Sequence, residues 1–289
     1  MSANGHDNTL PLFGPGSQPR ESDGANLDIL QLPDEMQTYQ APDLPEPEDA
    51  SGMQSALAML HQMQRDMQRY RDDQEVRHYD LSTLDAANRH FVEQVLGEGE
   101  VSIIFDGDSS DELNIQESAM AGLWRIKGKQ RGELLVDALE VGPVPAVIRN
   151  ATFADAQLQI DDNTLEVGEG VCNALPLIAE INLHCHCAEE AHTPHVINLT
   201  LLPQSEADLF FLQHSLGHGK TRILSRGYGN CRINSTNTRN VWWVQYFNSQ
   251  DKNILNTLEI TAVPEAARAA REDIADSAIR LAEILEIYA

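Results

Sequence analysis

The residues best suited to chemistry are concentrated in one stretch, HCHCAEEAHTPH, which spans residues 184–195. It contains four histidines, two cysteines and two glutamates, and all three side-chain types can bind a metal ion. In an extended segment, alternate side chains point to opposite sides, so Cys185 and Cys187 would project to one side and His184 and His186 to the other. The four cannot all bind one ion without a bend, but two of them together with His192 and His195 could.

The spacing of these residues fits a structural zinc site poorly. Ligand pairs in such sites are usually separated by about two to five residues, unlike the C-x-C pair of this stretch. The residues AEEAHTP are also typical of a loop and do not provide a fixed frame. We therefore predict the end of a strand and a loop with an incidental cluster of thiols and imidazoles. The alternative is a metal site made of Cys185, Cys187, His192 and His195.

Two other motifs favour structural explanations. GHGKT, at residues 217–221, is similar to the end of a phosphate-binding loop, but His214 stands where the first glycine is needed and a helix precedes it. The alternating basic residues from Arg125 to Arg131 are typical of a solvated hairpin edge. The sequence contains no nucleophile elbow, HExxH motif or glycine fingerprint. We therefore predict that the protein is not an enzyme and binds no cofactor.

The charge of the chain limits its partners. Its 45 Asp and Glu residues outnumber 20 Lys and Arg residues, for a formal net charge of -25. Such a charge repels phosphate, so binding to nucleic acid or to an anionic membrane is disfavoured and a basic partner is favoured. The sequence has neither a signal-peptide pattern nor a long apolar run, so we predict a cytoplasmic protein without membrane insertion.

The N-terminal part changes in character near residue 50. Residues 1–50 contain seven of the 13 prolines and only two aromatic residues, which predicts a disordered or loosely docked acidic arm. Apolar residues then recur at spacings of three and four, which predicts a helix over residues 53–72. Methionines in this helix, Met59, Met63 and Met67 among them, suit either an adaptable binding surface or a core in which methionine fills gaps.

An internal repeat is the clearest sign of organisation. A shift of 120 positions places residues 81–105 on residues 201–225 with seven identities, and the correspondence continues with small insertions. Each unit predicts a helix, capped by Asp85 or Ser205 and ended by Gly97 or Gly217, followed by a small antiparallel β-meander.

The predicted fold class is therefore α+β, with two repeated units, a leading Met-rich helix and a C-terminal helix capped near Asp273. We predict an arm over residues 1–50, a first unit with its leading helix over 51–150 and a connecting segment over 151–195. The second unit and the terminal helix then occupy residues 196–289.

Several long phrases resemble one protein family, the HupH/HyaF family. They are GPGSQP (14–19), VLGEGEVSI (95–103), ESAMAGLWRI (117–126), PHVINLTLLPQSEADLFFL (194–212), SRGYGNCRINSTNTRNVWWVQYFN (225–248) and VPEAARAAREDIADSAIRLAEI (263–284). The resemblance covers nearly the whole chain. HCHC is not among the phrases, whereas PHVINLT, directly after it, is.

The resemblance implies a cytoplasmic accessory protein, or chaperone, for maturation of a membrane-bound uptake nickel-iron hydrogenase. It also implies two partners, the precursor of the iron-sulfur small subunit before twin-arginine export and a thioredoxin-like accessory protein of the HupG/HyaE type. The alternative is a metal or iron-sulfur carrier whose cargo is held by Cys185, Cys187, His192 and His195, with Cys172 or Cys231 as a further ligand. The candidate partner contacts are Met59, Met63, Met67, His195, Tyr228 and Asn230.

Overall fold

A ten-stranded antiparallel sheet is the framework of the computed structural model, which describes residues 44–71, 76–107, 111–130, 133–161, 166–185, 193–226 and 230–289. The strands are β1 (Arg77–Asp80), β2 (Val101–Asp106), β3 (Asp111–Glu117), β4 (Leu123–Gln130), β5 (Glu133–Val141), β6 (His195–Asn198), β7 (Thr221–Ser225), β8 (Asn230–Ser235), β9 (Val241–Phe247) and β10 (Asn253–Ile260). Their order is β1-β5-β4-β3-β2-β7-β8-β9-β10-β6. The two halves of the chain meet where Ile103 of β2 pairs with Ile223 of β7.

Helices cover the sheet. They are α1 (Gln54–Gln68), α2 (Ala86–Leu96), α3 (Ala146–Ala151), α4 (Ala174–Cys185), α5 (Glu206–Leu216) and α6 (Arg271–Glu286). Helices combined with an antiparallel sheet confirm the α+β class. Residues 151–195, predicted as a connecting segment, include the whole of α4. Most of the predicted N-terminal arm, residues 1–43, lies outside the described residues.

The same order of elements occurs in both halves of the chain. A helix is followed by a short strand, a 3₁₀ turn, a second helix and four strands. The short strand then pairs with the last of the four, β1 with β5 and β6 with β10. The sequence did not predict these short strands, because four residues are too few to show a clear alternation.

Local signals at the helix ends agree with the structure. The Asp85 side chain accepts a hydrogen bond from a first-turn amide of α2, and Ser205 forms a capping box with Asp208 at the start of α5. Gly97 and Gly217 end these helices with φ of 57° and 66°. The last helix does not have its cap near Asp273, as predicted, because its N-cap residue is Ala270. Asp273 lies in the first turn of the helix, where a carboxylate interacts favourably with the helix dipole.

The first half has a core on each face of the sheet. On one face, α1, α2 and α6 pack together over β4 and β5, with Leu60, Leu123 and Leu281 among the fully buried residues. On the other face, the core runs from the first half into the second and includes Trp124 and Trp242. Burial of this apolar surface is the main favourable contribution to folding.

The basic residue Arg125 is not at a hairpin edge, so that prediction is wrong for it. Strand β4 lies inside the sheet, between β5 and β3. The Arg125 guanidinium forms ion pairs with Asp137 of β5 and with Glu93 of α2. Burial lowers the pKa of Arg125, although the two carboxylates oppose this effect. Alternating basic residues occur both on an edge strand and on one face of an internal strand, so the sequence pattern does not distinguish these two positions. The order of strands in the sheet does.

Candidate functional site

The candidate site is the junction between the end of α4 and the start of β6, which contains both described ends of the HCHCAEEAHTPH stretch. The first turn of α4 is fixed by Asp208, a fully buried residue of α5. One carboxylate oxygen of Asp208 accepts hydrogen bonds from the backbone N–H groups of Cys172, Asn173 and Ala174, at 2.8, 2.8 and 3.0 Å. The other oxygen accepts from the N–H and hydroxyl groups of Ser205.

Asp208 is therefore ionised over most of the pH range. Burial alone would raise its pKa, but hydrogen bonds from Ser205, Asn173 and Cys172 outweigh burial and lower the pKa to about 2. One carboxylate thus holds the N-termini of two helices, α4 and α5. The position of the junction at the far end of α4 depends on this contact.

Two histidines and one glutamate meet at the junction. Nε2 of His195, the first residue of β6, lies 2.7 Å from Oε1 of Glu180 on α4, as expected when the ring N–H donates to the carboxylate. His184 stacks on the same imidazole, with ring centroids 3.5 Å apart and planes within 7° of parallel. His195 is partly exposed, so this small polar cluster can contact a partner.

The structure differs from the predicted strand and loop at the start of the stretch. His184 and Cys185 form the last turn of α4, and Cys185 is buried against the core. Its burial raises the pKa of the thiol to about 11, which favours the protonated form and not the thiolate that binds metal.

The predicted metal ligands are only partly described. Cys187 and His192 lie outside the described residues, whereas Cys185 and His195 are on the end of α4 and the start of β6. Within the described ranges, no group of three or more His, Cys, Asp or Glu side chains is arranged to hold a metal ion.

The methionine candidates for partner binding are mostly unavailable. Met63 and Met67 are completely buried among α2 and α6, so the prediction that they contact a partner is wrong. Met59 is partly buried and packs against the same core. Methionine fills gaps between helices here, which is the alternative that the sequence left open.

One of the remaining candidates lies at the start of a strand. Asn230, the first residue of β8, donates a hydrogen bond to Asp251 at 3.3 Å. Tyr228 lies outside the described residues.

Sequence reasoning missed a buried carboxyl, Glu117, at the end of β3. It is 8% exposed and accepts a hydrogen bond from the Gly122 N–H at 3.1 Å. Burial raises its pKa to about 7; the Gly122 N–H opposes this, and Glu100 and Asp273 add to it. A turn sequence, ESAMAG, gave no sign that its glutamate points inward.

Sequence reasoning also missed the exposed apolar side chains around β6. Val196, Leu201 and Ile254 are all largely exposed, and so is Leu183, next to the stacked histidines. Single exposed apolar residues are common, but several around one sheet edge indicate a contact surface.

Comparisons with known proteins define the class of the protein. The model of the family described as "HupH hydrogenase expression protein, C-terminal conserved region" matches residues 53–165 and again 171–288. Hydrogenase expression/formation protein HupQ of Azotobacter chroococcum mcd 1 is 44% identical over 96% of this chain and 96% of its own. Hydrogenase expression/formation protein HupH of Rhodobacter capsulatus is 43% identical over 95% of both chains. Hydrogenase-1 operon protein HyaF of Escherichia coli K12 is 36% identical over 95% of both chains.

These relatives are named for hydrogenase expression, hydrogenase formation or a hydrogenase operon. The chain belongs to the HupH family of hydrogenase expression proteins, which confirms the resemblance seen in its sequence. In the part of the chain that the structure describes, no helix has the length and apolar character needed to cross a membrane.

Proposed function

We propose that the protein is a cytoplasmic accessory protein, a non-enzymatic chaperone for maturation of a membrane-bound uptake nickel-iron hydrogenase. It acts on the precursor of the iron-sulfur small subunit before twin-arginine export, alongside a thioredoxin-like HupG/HyaE-type protein. The observation that supports this most directly is the family match, which accounts for residues 53–165 and 171–288.

The chemistry of the chain agrees with a binding role. A signal segment that is basic at its front and apolar behind needs an acidic partner with exposed apolar groups. The chain has a net charge of -25, and apolar side chains surround β6. The helix α1 does not serve as the apolar contact in this proposal, because Met63 and Met67 are in the core.

The test is binding of the purified full-length protein to the small-subunit precursor, with and without its signal segment, over a series of salt concentrations. We expect tighter binding of the form with the signal segment, and a loss of affinity as salt screens the charges. A precursor whose signal arginines are replaced by glutamine is the matched control. Equal affinity for the forms with and without the segment would contradict the proposal.

The carrier alternative has weaker support. Cys185 is buried and its pKa is about 11, so this thiol is a poor ligand in the folded state. Metal analysis of anaerobically purified protein separates the two functions. Stoichiometric iron or zinc that is lost on replacing Cys185 and Cys187 by serine would favour the carrier.

We also propose that the two halves are copies of one structural unit. Supporting this, the Trp124 indole N–H donates to the Gly142 carbonyl at 2.9 Å, and the Trp242 indole N–H donates to the Thr261 carbonyl at 3.1 Å. Gly122 and Asn240 occupy the same turn in each half, with φ of 77° and 62°. Under this proposal, the division into units at 51–150 and 196–289 extends to include α4 in the second unit.

A further inference from the structure

The strand β6 is one of the two edges of the sheet, and exposed apolar side chains surround it. We call these residues the β6 edge surface: Leu183, Val196, Leu201, Leu202 and Ile254. Leu201 is 79% exposed and Leu183 is 67% exposed.

These residues lie around one edge strand, on both faces of the sheet. His195 contacts Glu180 of α4, so Val196, its neighbour on β6, points to the opposite face. His184, next to Leu183 on α4, stacks on His195. The 3₁₀ turn that ends at Leu201 is tied to β10, because the Thr200 hydroxyl accepts a hydrogen bond from the Asn256 N–H at 2.7 Å. Ile254 lies on the same strand as Asn256, two residues earlier.

The first half of the chain provides an internal comparison. Asp80 and Asn198 end β1 and β6, and each side chain accepts hydrogen bonds from the 3₁₀ turn that follows. Aligned on this pair, the sequence RHYDLSTL (77–84) corresponds to HVINLTLL (195–202), and the insertion of Pro203 and Gln204 restores the shift of 120 positions between α2 and α5. His78 then stands where the second half has Val196, and Thr83 stands where it has Leu201.

A corresponding difference exists on the helices that precede these strands. The Gln64 side chain on α1 donates to a backbone carbonyl of α6, and Asn182 on α4 donates to the carbonyl of Ile160. Aligned on this pair, Arg65 stands where α4 has Leu183.

The fold does not require apolar side chains at these places. His78, Thr83 and Arg65 are exposed at the corresponding positions, on the same type of element. Exposing leucine or valine to water has a cost that a polar residue avoids. A partner that contacts only the second half of the chain explains why the second half has apolar residues where the first half has polar ones.

The two sheet edges also differ in how they resist strand addition. Strand β1 carries Arg77, His78 and Asp80, and charged residues at an edge discourage pairing with another chain. Strand β6 consists of His195, Val196, Ile197 and Asn198, and its histidine is already paired with Glu180. Strand β6 is therefore the edge suited to an added strand.

The acidic residues near β6 and the net charge of the chain indicate a partner that carries positive charge. Glu259 lies opposite Val196 in the β6–β10 register, and Glu180 lies beside His195. A second copy of the chain would bring another net charge of -25 to this edge, which disfavours self-association. We propose that the β6 edge surface docks an extended apolar segment of a different protein that carries basic residues next to its apolar ones. This inference rests on the proposed function, in which such a segment belongs to the precursor.

The first experiment uses a synthetic peptide and the full-length protein. The peptide has two arginines followed by a run of valine and leucine, so that apolar side chains reach both faces of the edge, and a control peptide has glutamates in place of the arginines. Hydrogen exchange should slow at residues 195–202 with the arginine peptide and stay unchanged at residues 77–84. Absence of protection at 195–202, or equal protection by the glutamate peptide, would overturn the inference.

The second experiment exchanges residues between the two edges. The double variant Val196→His and Leu201→Thr takes the residues of the first half, so the backbone is known to accept them. It should bind the arginine peptide and the precursor at least about ten-fold more weakly, because two apolar side chains lose their contacts. The matched control, His78→Val and Thr83→Leu, should bind as wild type does. Thermal unfolding of both variants checks that they are folded.

The outcomes separate the inference from the proposed function. If the precursor binds wild type and the double variant equally, the docking surface is wrong and the proposed function stands. If the peptide protects residues 195–202 and the double variant weakens it, but the precursor does not bind wild type, the docking surface stands and the proposed function fails.

Discussion

Replacement of Asp208 by alanine should destabilise the protein strongly and loosen α4. The change removes the acceptor for three backbone N–H groups at the start of α4 and for the capping box of α5. A lost N-cap costs about 1 kcal/mol, and a buried donor left without its charged partner costs about 1–3 kcal/mol. Cys172 and Asn173 are exposed and can bind water instead, so the largest loss is at Ala174. We expect a total loss of about 2–4 kcal/mol in the free energy of unfolding.

Asp208→Asn should cost about half as much, since its amide oxygen can accept the three bonds at the start of α4 while its NH2 group cannot accept those from Ser205. The first half of the chain uses such an amide: Asn88 accepts a hydrogen bond from the Ala56 N–H at the start of α1 at 3.0 Å. Urea unfolding followed by circular dichroism measures both losses. Hydrogen exchange should also show faster opening of α4 than of α1.

The pH dependence gives a second check on the same residue. The folded pKa of Asp208, about 2, lies below its ordinary value of 3.8. Its ionised form therefore stabilises the protein fully above about pH 4, and this contribution is lost as pH falls toward 2. The difference between wild type and Asp208→Asn should shrink in that window. Glu206→Ala, an exposed change in the same helical turn, is the control and should cost under about 1 kcal/mol. A loss below 1 kcal/mol for Asp208→Ala would refute the reasoning.

Three further predictions concern a buried carboxyl, a tightly packed glycine and a core methionine. Because the pKa of Glu117 is about 7 when folded against an ordinary 4.5, the protonated carboxyl stabilises the protein below pH 4.5 and this stability is lost as pH rises through 7. Urea unfolding should therefore show wild type losing about 2–3 kcal/mol more than Glu117→Gln between pH 5 and 8. Gly219→Ala would place a methyl group against Ser235 and should cost more than about 2 kcal/mol in thermal unfolding, whereas Gly168→Ala, with open space around it, should be nearly neutral. Met63→Ala should lower the free energy of unfolding by about 2–5 kcal/mol, and Met59→Ala should lower it clearly less. Met59→Ala should also bind the precursor as wild type does. Weaker binding of this variant would show that α1 is a contact surface.

The parts of the fold that could be predicted are those set by local chemistry. Ser205 followed by Asp208 predicts a helix start because the reciprocal hydrogen bonds involve only neighbouring residues. Gly97 and Gly217 predict helix ends because a left-handed φ is easy only for glycine. The terminal helix could be recognised from apolar periodicity, although its N-cap residue is Ala270 rather than Asp273.

The parts that could not be predicted depend on distant residues. HCHC was predicted as the end of a strand because histidine and cysteine alternate in it. In the structure, Cys185 belongs to α4, where it shares the buried helix face with Ile178 and Ile181. The hydrogen bond between His195 and Glu180 requires β6 to return beside α4, and no spacing in the sequence indicates that return.

By itself, the sequence determined the acidic character of the protein, the capped ends of α2 and α5, its α+β class and its family, since these follow from composition, local hydrogen bonding and extended similarity. Only the tertiary structure decided which apolar residues are available to a partner. Met63 and Leu201 are both apolar, so the sequence does not distinguish them. In the structure, α2 and α6 bury Met63, whereas Leu201 lies beside the edge strand β6 and is exposed to solvent. Burial is a property of what packs against a residue from elsewhere in the chain, and that is established only when the sheet and its helices assemble.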